Sequence, residues 1–317
     1  MTQLAPITAD SITTLVFGSG GLRGAPMIAA ALWRLDQRLP DMDFTSKRRS
    51  IREIRATSIG CLAAIYIACR VPPESFLRDV LTIDYAPLVD FSIMDLTTDF
   101  GLNNGEKVRL YLDNLIHSKT SLQQATFEEL QKWSGIDLKF VAVDLNHCSS
   151  EEFIMSSTTT PTMSVAKAAL ASMGIPVFFA PVKYDAHLLV DGALVNGFPV
   201  RGLAGKACDP ATTLGFSISG QWFTPSSSVK APFWGYLEKL LTVILKLQDK
   251  HRKDNCVHVI TLHAPPGISA LTWDISHEQR RVLMQDSFEK VDDFIKAGFI
   301  YNKRPKTDSA TQTGPSP

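Results

Sequence analysis

The chain has no excess of either charge: 32 Lys and Arg stand against 32 Asp and Glu in 317 residues. Without a basic field to neutralise phosphates, nucleic acid is not expected as a partner. Cysteine is scarce. Cys61, Cys69, Cys148, Cys208 and Cys256 form no C-x-x-C pair, and no H-E-x-x-H occurs, so neither a disulfide framework nor a metal site is expected. A reducing compartment follows from the same usage. No apolar run reaches the roughly 18 residues that a membrane-spanning helix needs. The opening MTQLAPITADSI lacks a basic cluster and an apolar core, so no secretory leader is expected. No internal repeat occurs. Low-complexity composition is confined to the end, NKRPKTDSATQTGPSP, which is expected to be a disordered tail over 301–317.

What remains is globular in composition, with 45% hydrophobic and 20% charged residues. Short apolar runs alternate with helical patterns, as in α/β proteins with a largely parallel sheet. Strands are expected at 13–17, 51–57, 137–145, 187–191, 213–219 and 256–262. Helices are expected from Ala25, from Ile59 and over 105–117. Thr126-Phe-Glu-Glu129 and Ser276-His-Glu-Gln279 are capping boxes that open two more. The alternation runs through the whole body, which predicts one domain over 13–300, its motifs within 13–202 and an extension over 203–300.

Three motifs fall at the ends of predicted strands. Gly18-Ser19-Gly20-Gly21-Leu22-Arg23-Gly24 lies between a strand and a helix, where successive N–H groups can converge on an anion. The dinucleotide spacing G-x-G-x-x-G ending at Gly24 fails, because Ser19 stands where its first glycine belongs. Ala56-Thr57-Ser58-Ile59-Gly60 also joins a strand to an apolar helix, and such a turn lifts a serine hydroxyl above the sheet edge. Val190-Asp191-Gly192-Ala193 closes a strand with a carboxylate, at the end where α/β folds place their chemistry. Each has a purely structural explanation as a tight turn. Together they are the parts of an acyl-transfer site: oxyanion loop, exposed serine and strand-end base.

These residues resemble the patatin-like phospholipase family. Its glycine-rich loop matches Ser19 to Gly24, its GxSxG matches Ala56 to Gly60, and its Asp-Gly-Ala/Gly matches Asp191 to Ala193. A fourth stretch, Ala171-Ser172-Met-Gly-Ile-Pro176-Val-Phe-Phe179-Ala-Pro181, is similar to the family's Ala-Ser-x-x-x-Pro-x-x-Phe-x-Pro. The resemblance covers about residues 13–200 in order and spacing. It implies a three-layer α/β/α fold with a central, mostly parallel sheet, and a Ser58–Asp191 dyad. It also implies an oxyanion held by Gly20 and Gly21, with Leu22, Arg23 and Gly24 completing the loop. No cofactor or metal is implied. The implied substrate is a phospholipid or another acyl-ester lipid, met through transient contact with a membrane surface. The location is then the cytoplasm, a membrane periphery, or a host cell reached by an effector without a leader. Whether a partner activates the enzyme is open. Ser19 and Ala56 depart from the family's glycines: Ser19 matters if its position needs positive φ, and Ala56 if its methyl crowds the elbow.

Two other readings stand beside this one. A Ser-His-Asp esterase would need a histidine after Asp191, and His251, His258, His263 and His277 qualify by order. His187 lies roughly 13 Å along the strand from Asp191, too far for a direct hydrogen bond. A non-catalytic or partner-activated lipid-binding relative would use Phe233 to Leu247, helical in spacing and ending in Lys250-His-Arg-Lys253, against a membrane. The basic residues Lys47, Arg48, Arg49, Arg52 and Arg55 read as an exposed loop entering an edge-accessible strand. Residues 95–105 read as a surface loop or a rim of the site.

Overall fold

The computed structural model describes residues 4–46, 51–88, 91–147, 151–200, 207–220, 239–241, 243–245, 257–270, 272 and 274–302. Twelve strands are described: β1 Ile7–Thr8, β2 Thr14–Phe17, β3 Glu53–Thr57, β4 Gly101–Asn103, β5 Asp137–Asp144, β6 Phe153–Ser156, β7 Val177–Phe179, β8 Val182–Tyr184, β9 His187–Asp191, β10 Thr213–Ser219, β11 His258–His263 and β12 Ile300–Tyr301. The α-helices are α1 Gly24–Arg38, α2 Gly60–Ala68, α3 Pro73–Thr82, α4 Ile93–Thr98, α5 Glu106–Thr120, α6 Phe127–Ser134, α7 Val165–Met173 and α8 His277–Lys296.

The fold is mixed α/β around an eight-stranded sheet ordered β11-β10-β2-β3-β5-β9-β8, with β6 sharing an edge of β5. The five strands from β11 to β5 are parallel, whereas β6, β8 and β9 pair antiparallel. Strand side chains alternate between two cores, as the pleat requires. Leu15 and Phe17 face the large core shared with α1 and α2, while Val16 faces a smaller one with Phe198, Val200, Cys208 and Val257. Both capping boxes form at the predicted residues, Thr126 with Glu129 and Ser276 with Gln279.

Two expectations change. β3 is an interior strand between β2 and β5, not an accessible one, and Arg55 is buried in an ion pair with Glu53 at 2.6 Å. Buried parallel strands carry few polar residues, so an arginine there misleads unless its partner two residues earlier is noticed. Residues 95–105 are not plain loop: they contain the end of α4 and β4, which pairs with β7. Lys47 to Arg49, residues 301–317 beyond Asn302 and most of Phe233 to Lys253 lie outside the described residues. No helix among the described residues is long and apolar enough to cross a membrane.

Candidate active site

Strand register brings the serine and the aspartate to one level. Thr57 of β3 pairs with Val141 of β5, and Asp191 of β9 pairs with Ala142. Ser58, the next residue after Thr57, is therefore level with Ala142 and Asp191, where β3 and β9 meet along one edge of β5. Asp191 is the last residue of its strand, as expected, but β9 is antiparallel: it starts beyond the end of β5, where the Leu145 N–H bonds the Leu188 carbonyl, and runs inward to the level of Ser58.

The Ser58 hydroxyl donates to Asp191 Oδ2 at 2.8 Å, and both residues are buried. Ser58 has φ +55°, the left-handed region that costs a side chain about 1–2 kcal/mol and is held only when its surroundings demand it. The turn is this tight because Gly60 lies against β2: a Cβ there would sit 2.6 Å from the Phe17 carbonyl oxygen. Ala56 is buried within β3 beside Phe17 and Phe140, and the close approach falls at Gly60 instead, so its methyl does not crowd the turn. On the other side, a Cβ at Gly192 would lie 2.3 Å from the Val141 carbonyl oxygen, which leaves only glycine after the aspartate. The Ala193 N–H donates to Asp191 Oδ1 at 2.8 Å. Burial is the larger influence on Asp191 and raises its pKa from 3.8 to about 7, against the lowering effect of the Ala193 and Ser58 hydrogen bonds.

The glycine-rich loop lies alongside. Its positive φ falls on Gly21 and not on Ser19, so the serine there is unstrained; the Ser19 N–H donates to the Gly197 carbonyl at 2.7 Å. Among the described residues nothing accepts from the N–H groups of Gly20 and Gly21. Two expected members of the loop are engaged elsewhere. The Leu22 N–H donates to the Ala270 carbonyl at 3.3 Å, and that of Gly24 to Gly21 at 2.9 Å. Arg23 is buried and braces the loop through the carbonyls of Gly20 (3.3 Å) and Ile268 (2.5 Å), its pKa lowered by burial to about 10. A charge so enclosed is a brace and not a phosphate receptor.

Two pockets meet at Ser58. One is walled by Leu62, Val108, Leu112, Leu170, Met173 and Phe179, a lining suited to an apolar ligand. The other is bounded by Ser19, Asp191, Pro176, Leu194, Leu241 and Leu245. The last two are helical residues of the 233–247 segment, which the lipid-binding alternative would set against a membrane.

No histidine enters the site among the described residues. His258 contacts the Ala5 carbonyl, His263 contacts Ser219, and His187 contacts Asp144. Asp144, His147 and His187 form a cluster that no spacing signals, their ligand-type atoms lying within 4.8 Å of one another. Asp144 is already saturated: Oδ1 accepts from Leu188 and Asn146, Oδ2 from both imidazoles. Burial would raise its pKa, but those four bonds hold it well below the carboxylate range. The cluster pins β9 against β5.

A profile of patatin-like phospholipases matches residues 15–204. The chain belongs to the patatin-like phospholipase family. It is 25% identical over 197 residues to an uncharacterised protein of Acanthamoeba polyphaga mimivirus, covering 61% of this chain and 62% of that one. It is 24% identical over 190 residues to a probable lipid hydrolase of Invertebrate iridescent virus 6, covering 59% and 61%. The matches thus span about three-fifths of those relatives' lengths. In fold it is similar to VipD from Legionella pneumophila, with TM-score 0.65 at 12% identity over 91% of this chain and 67% of that one. It is also similar to ExoU in its complex with SpcU from Pseudomonas aeruginosa, with TM-score 0.50 at 15% identity over 92% and 53%.

Proposed function

We propose that this patatin-like protein is a lipid acyl hydrolase working through a Ser58–Asp191 dyad. The observation that carries the reading is the 2.8 Å hydrogen bond from the Ser58 hydroxyl to Asp191, at the mouth of an apolar pocket that no histidine among the described residues reaches.

An acyl chain lies in the pocket lined by Leu62, Val108 and Leu112, which sets its ester carbonyl over Ser58. Ser58 Oγ attacks the carbonyl carbon while its proton passes to Asp191 Oδ2. The carbonyl oxygen takes up negative charge within reach of the unengaged N–H groups of Gly20 and Gly21. Collapse breaks the ester bond, and protonated Asp191 returns the proton to the departing alcohol, which leaves through the pocket that Asp191 itself lines. Water then attacks the acyl-serine with Asp191 again taking the proton, which releases the fatty acid and restores Ser58.

The test is fatty-acid release from mixed phospholipid vesicles by wild type, Ser58→Ala and Asp191→Asn, with folding followed by circular dichroism. Release by wild type alone supports the dyad. Release by a folded Ser58→Ala protein ends it, and vesicle binding without release by wild type would turn the reading towards a lipid-binding relative.

A further inference from the structure

The stretch Ala171 to Pro181 was singled out in the sequence, yet the dyad mechanism assigns it no task. In the fold, its first part lies beneath both catalytic side chains. Ser172, at the C-terminal end of α7, is wholly buried. Its hydroxyl accepts from the Ser58 N–H at 2.9 Å and donates to the Val141 carbonyl at 2.6 Å. Two residues on, the Gly174 carbonyl accepts from the Asp191 N–H at 2.9 Å. The same Val141 carbonyl is the atom that leaves no room for a side chain at Gly192. One short segment therefore holds the backbone of the serine, the backbone of the aspartate and the strand β5 beside them.

We infer that Ser172 is a positioning residue whose hydroxyl holds Ser58 in its left-handed conformation and so keeps Oγ aimed at Asp191. The inference rests on the reading of Ser58 as nucleophile. A serine at φ +55° tends to relax towards an ordinary region unless something over-determines it. A β-region or right-handed Ser58 would turn its N–H away from α7 and its side chain away from β9. The Ser172 hydroxyl suits the task because it is a donor and an acceptor at once. It satisfies a buried N–H on one side and is itself oriented by a buried carbonyl on the other. Removing it takes this partner from the Ser58 N–H in a buried place.

The neighbours of Ser172 extend the argument to the substrate. Leu170 and Met173 wall the apolar pocket, and Ile175 borders both pockets. The helix end that holds the dyad is thus the one an acyl chain packs against. An acyl chain in that pocket stiffens the segment that aims Ser58.

The experiment compares wild type, Ser172→Ala, Ser172→Thr and Ser172→Val, with Ser58→Ala as blank. Thr and Val share a shape and differ in the hydroxyl, so that pair keeps the comparison valid if the Ala protein folds poorly. For Ser172→Ala and Ser172→Val, kcat should fall by about 10- to 100-fold, the effect of one unpaired buried donor, with KM within about twofold. Labelling of Ser58 by a fluorophosphonate should slow in parallel, and Ser172→Thr should recover both rates. The acid limb of the pH–rate profile should also move to higher pH, because Asp191 loses the hydrogen bond from Ser58 that lowers its pKa. Equal kcat in the Thr and Val proteins, or an unmoved acid limb in a slowed Val protein, would overturn the positioning role and leave Ser172 as packing. An active Ser58→Ala protein would instead remove the nucleophile reading, whatever the Ser172 variants do.

Discussion

Asp191→Asn should inactivate the enzyme and stabilise it, and the gain should depend on pH in a way the geometry fixes. Burial raises the Asp191 pKa from 3.8 to about 7, so the folded state keeps this proton over a range in which the unfolded chain has lost it. A raised carboxyl pKa makes its stabilising contribution below the unfolded value and loses it as pH rises through the folded one. Between about pH 4 and pH 7 the wild type should therefore lose stability from this group at up to about 1.36 kcal/mol per pH unit. The displacement of about three pH units sets a ceiling of about 4 kcal/mol. Asparagine is neutral throughout, and it can keep both contacts. Its carbonyl can accept from the Ala193 N–H, and its amide can donate to Ser58 Oγ, replacing the bonds at 2.8 Å and 2.8 Å. Urea unfolding of both proteins from pH 5 to pH 8 is the assay. The advantage of Asp191→Asn should grow by about 3 kcal/mol across that range and level off above pH 7. In wild type, kcat/KM should fall below about pH 7 as the base is protonated. A stability difference flat with pH, or an asparagine variant less stable at pH 8, would refute the picture of a dry carboxyl strained by its charge.

Other expectations follow from the same geometry. Ser58→Gly and Ser58→Ala should both be inactive, but the glycine protein should be the more stable by about 1 kcal/mol in thermal unfolding, because only glycine takes φ +55° freely. Gly192→Ala should destabilise by about 3 kcal/mol and abolish activity, since its Cβ would meet the Val141 carbonyl oxygen at 2.3 Å and push Asp191 off Ser58. Val108→Trp should fill the apolar pocket, lowering hydrolysis of long-chain esters at least tenfold while sparing short-chain p-nitrophenyl esters. His258→Ala and His263→Ala should keep activity within about threefold of wild type on those esters, a single hydrogen bond or less being at stake far from the dyad. A stable, inactive histidine variant would restore the triad reading.

The sequence made legible whatever is local. The strands β2, β5 and β10 are largely apolar runs, β3 is a shorter run read despite its charges, and the capping boxes at Thr126 and Ser276 are read from four residues each. Ser58 and Asp191 were legible for the same reason, as special residues at the ends of such runs. Partners set by register or by distance along the chain were not. The inward direction of β9 leaves no trace in HLLVD, whose pattern is the same for parallel and antiparallel pairing. The Leu22 N–H meets Ala270 and the Arg23 guanidinium meets Ile268, contacts that span about 245 positions and carry no spacing signal. Helix α7, VAKAALASM, is buried on several sides and so lacks the polar face that periodicity needs. Its Ser164 cap was the one local hint. That omission hid Ser172, although its stretch had been noticed.

That no histidine among the described residues reaches the pair has a physical answer in the burial of Asp191. A serine hydrolase needs a base whose proton affinity lies near the working pH, and imidazole meets that need with an ordinary pKa near 6.5. An aspartate in water, near 3.9, is too weak by roughly 400-fold. Enclosed by β5 and β9 and by the Val141–Gly192 contact, the Asp191 carboxyl is raised to about 7, so it reaches by desolvation the affinity that imidazole has by nature. The cost is a buried charge in the working state and a serine held at positive φ beside it. Both are local violations that the surrounding backbone must hold in place, which is why the residues around the dyad are glycines, carbonyls and a buried hydroxyl. On the proposed mechanism, the site can work with one carboxylate because the fold keeps that carboxylate dry.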